Sequence, residues 1–208
     1  MGALTKFQQI LIALIWGVTC LSLAVTVTIV VSPHIYRICI DWFNLGTVAG
    51  LSTEDLMRNY HAVLDYITNP FTIKMLLPHF SSSAGGVQHF YEVKQLILAN
   101  FVLSGVGVLF SIWLWGRVRK RKSILWLRLS LRVASWFPLV LLFLVVVAFE
   151  QLFVLFHQVF FRNDLWLFNP LTDPIITVLP QELFMLLFVC ILLMYELFVS
   201  MLKWSIRR

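Results

Sequence analysis

The sequence predicts an all-α integral membrane protein: four transmembrane helices carrying an extracellular cap of short helices and loops. Three observations predict it. Of the 208 residues, 60% are hydrophobic and the mean hydropathy is +0.88, more apolar than a soluble domain with its polar surface. Four windows are of the order of the roughly 20 apolar residues that cross a hydrocarbon core. The basic residues are segregated along the chain, as they are around membrane spans.

The spans are 7–31, 96–116, 134–156 and 183–202. The first two carry no charge; the third contains only Glu150 and the fourth only Glu196. The first is too long for a signal-peptide core and no small-residue cleavage site follows it, so it reads as a retained helix. Cys20, Cys39 and Cys190 offer no disulfide framework and read as small hydrophobes.

Charge sets the direction. The 117–133 loop holds Arg117, Arg119, Lys120, Arg121, Lys122, Arg128 and Arg132 without an acid. Lys6 precedes the first span, and Lys203, Arg207 and Arg208 end the chain. With four spans these all fall on one side, which is therefore cytoplasmic together with both termini. The opposite side mixes Arg37, Arg58, Lys74, Lys94 and Arg162 with Asp41, Glu54, Asp55, Asp65, Glu92, Asp164 and Asp173. The net charge of +6 thus points to membrane lipids as partners of the basic loop rather than to nucleic acid.

The outer segments, 32–95 and 157–182, form the cap and are longer than simple connectors. Ser52 is an N-cap, with Glu54 and Asp55 in the first turn where the helix dipole favours them. Leu56, Tyr60, Val63, Leu64 and Ile67 then recur at helical spacing, and Asn69-Pro70 ends the run. This helix is expected to pack on the bundle, because its polar face is mixed rather than basic. The stretch 35–43 is expected at the interface. Ser81 to Gly86 reads as a turn and helix start, followed by a helix from about Val87 through Gly116 whose first turns stand above the membrane. Pro170, Pro174 and Pro180 forbid a long helix in the second segment, where Phe160, Phe161, Trp166 and Phe168 make an aromatic shelf.

All five histidines lie on the outer side. His34, His61 and His79 have no distinctive partners. His89 begins the second long helix and His157 ends the third, so two helices deliver imidazoles to one level. A functional pair and plain interface decoration both remain open from the residues alone. Glu150 lies seven residues before His157, on the same helical face and about 10 Å away along the axis. A carboxylate there is expected to face the bundle interior, as an anchor or through an intermediary. Imidazoles move protons near neutrality. No Gly-x-Ser-x-Gly elbow is present, so a nucleophile arriving with the substrate suits the pair. The rival is a metal on His89, Glu92 and His157, as in a metal-dependent membrane hydrolase, but no His-Glu-x-x-His or cysteine pair supports one, and no metal is assigned. A transporter or assembly subunit is the non-enzymatic alternative; the first two spans offer it only Thr26, Thr28, Asn100 and Ser104.

Several blocks jointly resemble the bacterial lipoprotein intramolecular transacylase family. They are Asn59-Tyr60-x-x-x-Leu64-x-Tyr66, Leu77-Pro78-x-Phe80-x-x-Ser83 and His89-Phe90-x-Glu92-Val93-Lys94. Phe156-His157, Phe161-x-x-Asp164-x-Trp166-x-Phe168-x-Pro170-x-x-Asp173 and Leu179-Pro180-x-x-Leu183-Phe184 complete the set. Glu92 stands where an Asp is expected in many relatives. The resemblance implies a four-helix membrane enzyme of low-GC Gram-positive bacteria. It implies a diacylated lipoprotein substrate, whose sn-2 acyl chain moves to the α-amino group of its own N-terminal cysteine to give the lyso-form. By position it makes His89 and His157 the catalytic pair. The substrate supplies nucleophile and ester, so no cofactor is expected. Tyr60, Tyr66, Phe90, Tyr91, Trp166 and Phe168 would hold the glyceryl head. Asn59, Arg162, Asn163 and Asp164 would bind polar parts of the substrate or build the cap, with Glu92, Glu150 and Asp173 in support.

Overall fold

The computed structural model describes residues 4–118 and 124–207. Its helices are α1 (Lys6–Trp42), α2 (Leu45–Ala49), α3 (Thr53–Thr68), α4 (Ala84–Val118), α5 (Leu125–Phe160) and α6 (Gln181–Arg207), with a 3-10 turn at Pro174–Val178. Among the described residues, α1, α4, α5 and α6 are long and apolar enough to cross a membrane. Arg119, Lys120, Arg121, Lys122 and Arg208 of the basic inner side lie outside the described residues.

Each long helix outruns the span read from hydropathy. In α1 the helix continues past Val31 to Trp42 with Pro33 inside it, where the sequence reading began an irregular outer segment. The reason is local. Pro33 has no N–H to give the carbonyl of Ile29, and a proline in a helix interior normally breaks it there. The Ser32 hydroxyl donates to that carbonyl instead, at 2.8 Å. The helix therefore survives its proline.

Contacts divide the chain into two compact units, each containing part of every long helix. The first is Met1–Thr28, Asn100–Val147 and Val189–Arg208. Here Ile12, Ala13, Trp16, Leu114, Val118, Leu127, Leu131 and Ile206 form an apolar core. A polar knot ties α1 to α4: Ser22 Oγ meets Ser104 Oγ at 2.7 Å and Asn100 Oδ1 at 2.8 Å, and Asn100 Nδ2 donates to Thr26 at 3.0 Å. Such hydrogen bonds and small residues hold helices together where lipid removes the hydrophobic driving force. Glu196 accepts from Lys203 at 3.2 Å.

The second unit is Ile29–Ala99 and Ala148–Phe188. Its core gathers Tyr36, Cys39 and Ile40 of α1, Leu56, Tyr60, Val63, Tyr66 and Ile67 of α3, Phe90 of α4, and Ile175, Val178 and Leu179 of the 3-10 segment. The amphipathic helix thus packs on α1, α4 and α6 within this unit, as its mixed polar face predicts. Ser52 caps it, its hydroxyl accepting from the Asp55 N–H at 3.1 Å, and Asn69 closes it. Backbone angles leave the helical region at Ala148 (φ −142°, ψ 41°), so α5 is kinked where its second part begins.

Candidate active site

His89 sits in the second turn of α4 and His157 in the last turn of α5. Both are buried, and their ring centroids are 5.9 Å apart. The second unit therefore brings together the two imidazoles that span counting placed at one level. Aromatic rings enclose them. Phe161 and Phe168 present to His89 at 4.7 and 5.5 Å, while Trp166 stacks on His157 at 4.6 Å and Phe153 lies 4.2 Å from it.

The hydrogen bonds distinguish the two rings. His157 Nδ1 lies 2.7 Å from the carbonyl of Phe153. A carbonyl only accepts, so Nδ1 carries the proton and Nε2 keeps its lone pair. His89 Nδ1 is buried without a hydrogen-bond partner among the described residues, which leaves it available to a ligand. Both rings titrate below the ordinary histidine value. Burial dominates at His89, reinforced by His157 and opposed by Glu92, and brings it to about 4. At His157 burial outweighs the bond to Phe153. Two neutral imidazoles, one with a free lone pair, can take and return a proton without an enzyme nucleophile.

Comparison with known proteins now decides the family. The family described as "Lipoprotein intramolecular transacylase Lit" matches residues 10–184. The chain belongs to that family. A solved structure of the membrane-integral lipoprotein intramolecular transacylase Lit from Bacillus cereus shares 27% identity and a TM-score of 0.82, covering 98% of this chain and 96% of that one. Two further structures of the Bacillus cereus protein, with a histidine replaced by arginine or by alanine, share 26% identity and a TM-score of 0.73. Each covers 95% of this chain, and 89% and 90% of its own chain is covered. No match is found among curated proteins. This Lit family member is a multi-pass, all-helical membrane protein.

The remaining site residues expected from the Lit resemblance fall into three groups. Phe90, Trp166 and Phe168 surround the imidazoles. A second group positions the walls. Glu92 accepts from Gln88 Nε2 at 3.1 Å and from Asn163 Nδ2 at 3.0 Å, which fastens the 161–173 segment one turn beyond His89. The Asn163 carbonyl oxygen accepts from Leu165 N–H, so its amide is spent on structure. Asp173 accepts from the Ser83 N–H at 2.8 Å at the start of α4 and from the Thr172 hydroxyl. These bonds hold its carboxyl below the usual range despite burial.

The third group lies elsewhere. Tyr60 stacks on Tyr36 at 4.2 Å, and Tyr66 is buried beneath Lys94, both within the apolar core. Asn59 is wholly buried, donating to the Asp55 carbonyl and bound to the backbone and ring of His79. Its amide nitrogen is engaged by Asp55 and the His79 ring, and its oxygen by the His79 N–H. His79 thus has partners that the sequence did not reveal, including Asp55 at 3.6 Å. Tyr91, Arg162 and Asp164 are exposed. Glu150 is exposed too, correcting the expectation that it turns to the bundle interior. Among the described residues no three His, Cys, Asp or Glu converge as metal ligands.

Phe153 and Phe156 were not anticipated as part of this site. Phe153 contributes both a ring and the carbonyl that sets the His157 tautomer. Its signal was available, since it lies four residues before His157 and faces the same way on a helix.

One glycine is required by this packing. A Cβ on Gly86 would overlap Asp173 Oδ1. The carboxylate is tethered by three hydrogen-bond contacts and cannot move away freely. Gly86→Ala should therefore cost about 1–3 kcal/mol, the usual penalty of overpacking. The expected result is a lower melting temperature in detergent, read by tryptophan fluorescence; an unchanged melting temperature would show that Asp173 yields.

Proposed function

We propose that this Lit family member moves the sn-2 acyl chain of a diacylglyceryl lipoprotein to the α-amino group of that lipoprotein's N-terminal cysteine. The observation that carries the reading is the pair of buried imidazoles 5.9 Å apart, His157 with its Nδ1 committed to a carbonyl and His89 with its Nδ1 unengaged. The cysteine amine enters the site having lost its ammonium proton to solvent, and His157 Nε2 takes one proton from the attacking nitrogen. The nitrogen bonds to the ester carbonyl carbon, and the bond from that carbon to the glyceryl oxygen breaks. The departing oxygen takes back one proton, leaving an amide and a free hydroxyl. His89, neutral and unpartnered at Nδ1, suits donation to the developing oxyanion or leaving oxygen. Phe90, Trp166 and Phe168 exclude water, which would hydrolyse the ester instead. Holding amine and ester together is the larger part of the acceleration.

The first unit supports a placement of the membrane. Its helical stretches of 19 to 23 residues span about 28 to 35 Å at 1.5 Å per residue, close to a hydrocarbon core of roughly 30 Å. They end at Thr28, Asn100, Val147 and Val189. On this placement Glu150 stands at the headgroups rather than in the hydrocarbon, and its exposure is unremarkable. The basic side holds both chain ends in the cytoplasm, and the histidines face outward above the outer leaflet.

The test is a crossover experiment. Two lipoproteins with different acyl chains are incubated together with reconstituted enzyme. Transfer within one molecule leaves the intact mass unchanged, so tandem mass spectrometry must locate the chain on the cysteine nitrogen. N-acyl peptides carrying only their own chain are expected. Mixed products, or a free fatty acid in place of an amide, would overturn the reading.

A further inference from the structure

Outside the histidine site, residues 69–77 carry a feature that acyl transfer does not use. Phe71 and Ile73 are each 87% exposed and Leu76 is 75% exposed, with Lys74 exposed among them. Exposed apolar side chains of this size mark contact with another apolar phase when they cluster. The segment that presents them is tightly built. Asn69 Oδ1 accepts from the Phe71 N–H at 3.0 Å, and the Thr72 hydroxyl donates to Asp65 at 2.8 Å. Met75 is buried in the core of the second unit. The loop is pinned at its centre by Lys94, a buried lysine whose Nζ donates to the Thr72 carbonyl at 2.6 Å and lies over the Tyr66 ring.

Lys94 also fixes the height of the loop. It lies six residues before Asn100, where the hydrocarbon-spanning part of α4 ends. Six residues rise about 9 Å along a helix, so the Thr72 carbonyl is held near the headgroup layer. Phe71 and Ile73 flank that carbonyl in sequence. We propose that the 69–77 loop is a membrane-docking element of the cap. Phe71, Ile73 and Leu76 enter the outer leaflet, and Lys74 meets anionic phospholipid headgroups. The charge complements such a surface. The docking rests on the span assignment of α4 and not on the acyl-transfer chemistry.

The test uses full-length protein in phosphatidylglycerol-containing vesicles. Cys20, Cys39 and Cys190 are replaced by alanine, and a nitroxide is attached at Phe71→Cys, Ile73→Cys or, as the aqueous reference, Arg58→Cys. Power-saturation electron paramagnetic resonance then compares collisions with oxygen and with a water-soluble nickel chelate. Labels at 71 and 73 are expected to favour oxygen, with nickel collisions several-fold below those at 58. Nickel access at 71 and 73 equal to that at 58 would overturn the proposal. So would labels that become lipid-like only when diacylated lipoprotein is added, since the loop would then contact substrate rather than bilayer.

Discussion

His157→Ala should leave diacylated lipoprotein unconverted, with kcat/KM lowered by about 10²–10⁴-fold, the usual contribution of a positioned general base. The size of the effect follows from the ring's surroundings. Its Nδ1 proton is committed to the Phe153 carbonyl, so Nε2 is the atom left to accept. Trp166 and Phe153 hold the ring face on. A water in the alanine cavity would lack that orientation. The readout is fragment-ion mass spectrometry of the lipoprotein N-terminal peptide, with melting temperature as the folding control. A folded variant that acylates the amine at the native rate would remove His157 from the reaction.

His89→Ala should cost about 10²–10³-fold, as expected for loss of one donor to an oxyanion. His89→Gln separates chemistry from packing. A glutamine keeps an N–H but does not titrate, so it should recover part of the rate if His89 donates a hydrogen bond. It should recover none if His89 must carry a proton away. The same ring makes a pH prediction. A histidine whose value is lowered stays neutral until the pH falls through that lowered value, below the ordinary 6.5. Magnetic resonance of histidine-labelled protein should therefore show His89 uncharged at pH 6. A protonated His89 at pH 6 would contradict the desolvated site, because burial is the main cause of its shift.

Much of this was legible from periodicity and counting. Four apolar windows specify a four-span bundle, because lipid admits little else. Ser52, Glu54 and Asp55 mark the start of α3 because capping is local chemistry. His89 and His157 could be placed at one level because rise per residue is constant in a helix.

Other features depend on how distant segments turn toward one another. Hydropathy does not report rotation about a helix axis, so Glu150 could be assigned a height but not a facing; packing turned it outward. Tyr60 and Tyr66 share a motif with Asn59, yet all three are absorbed by the core or by His79. Asn163 and Asp173 matter through their hold on α4, across 71 and 90 residues of sequence. The sequence by itself determined the bundle, the amphipathic helix and the common level of the two imidazoles, since each follows from helical geometry and local pattern along the chain. Only the tertiary structure decided the 5.9 Å separation of the rings, the His157 tautomer and the aromatic wall. Those arise where α4, α5 and the proline-rich segment meet, and non-local packing is what sets their distances.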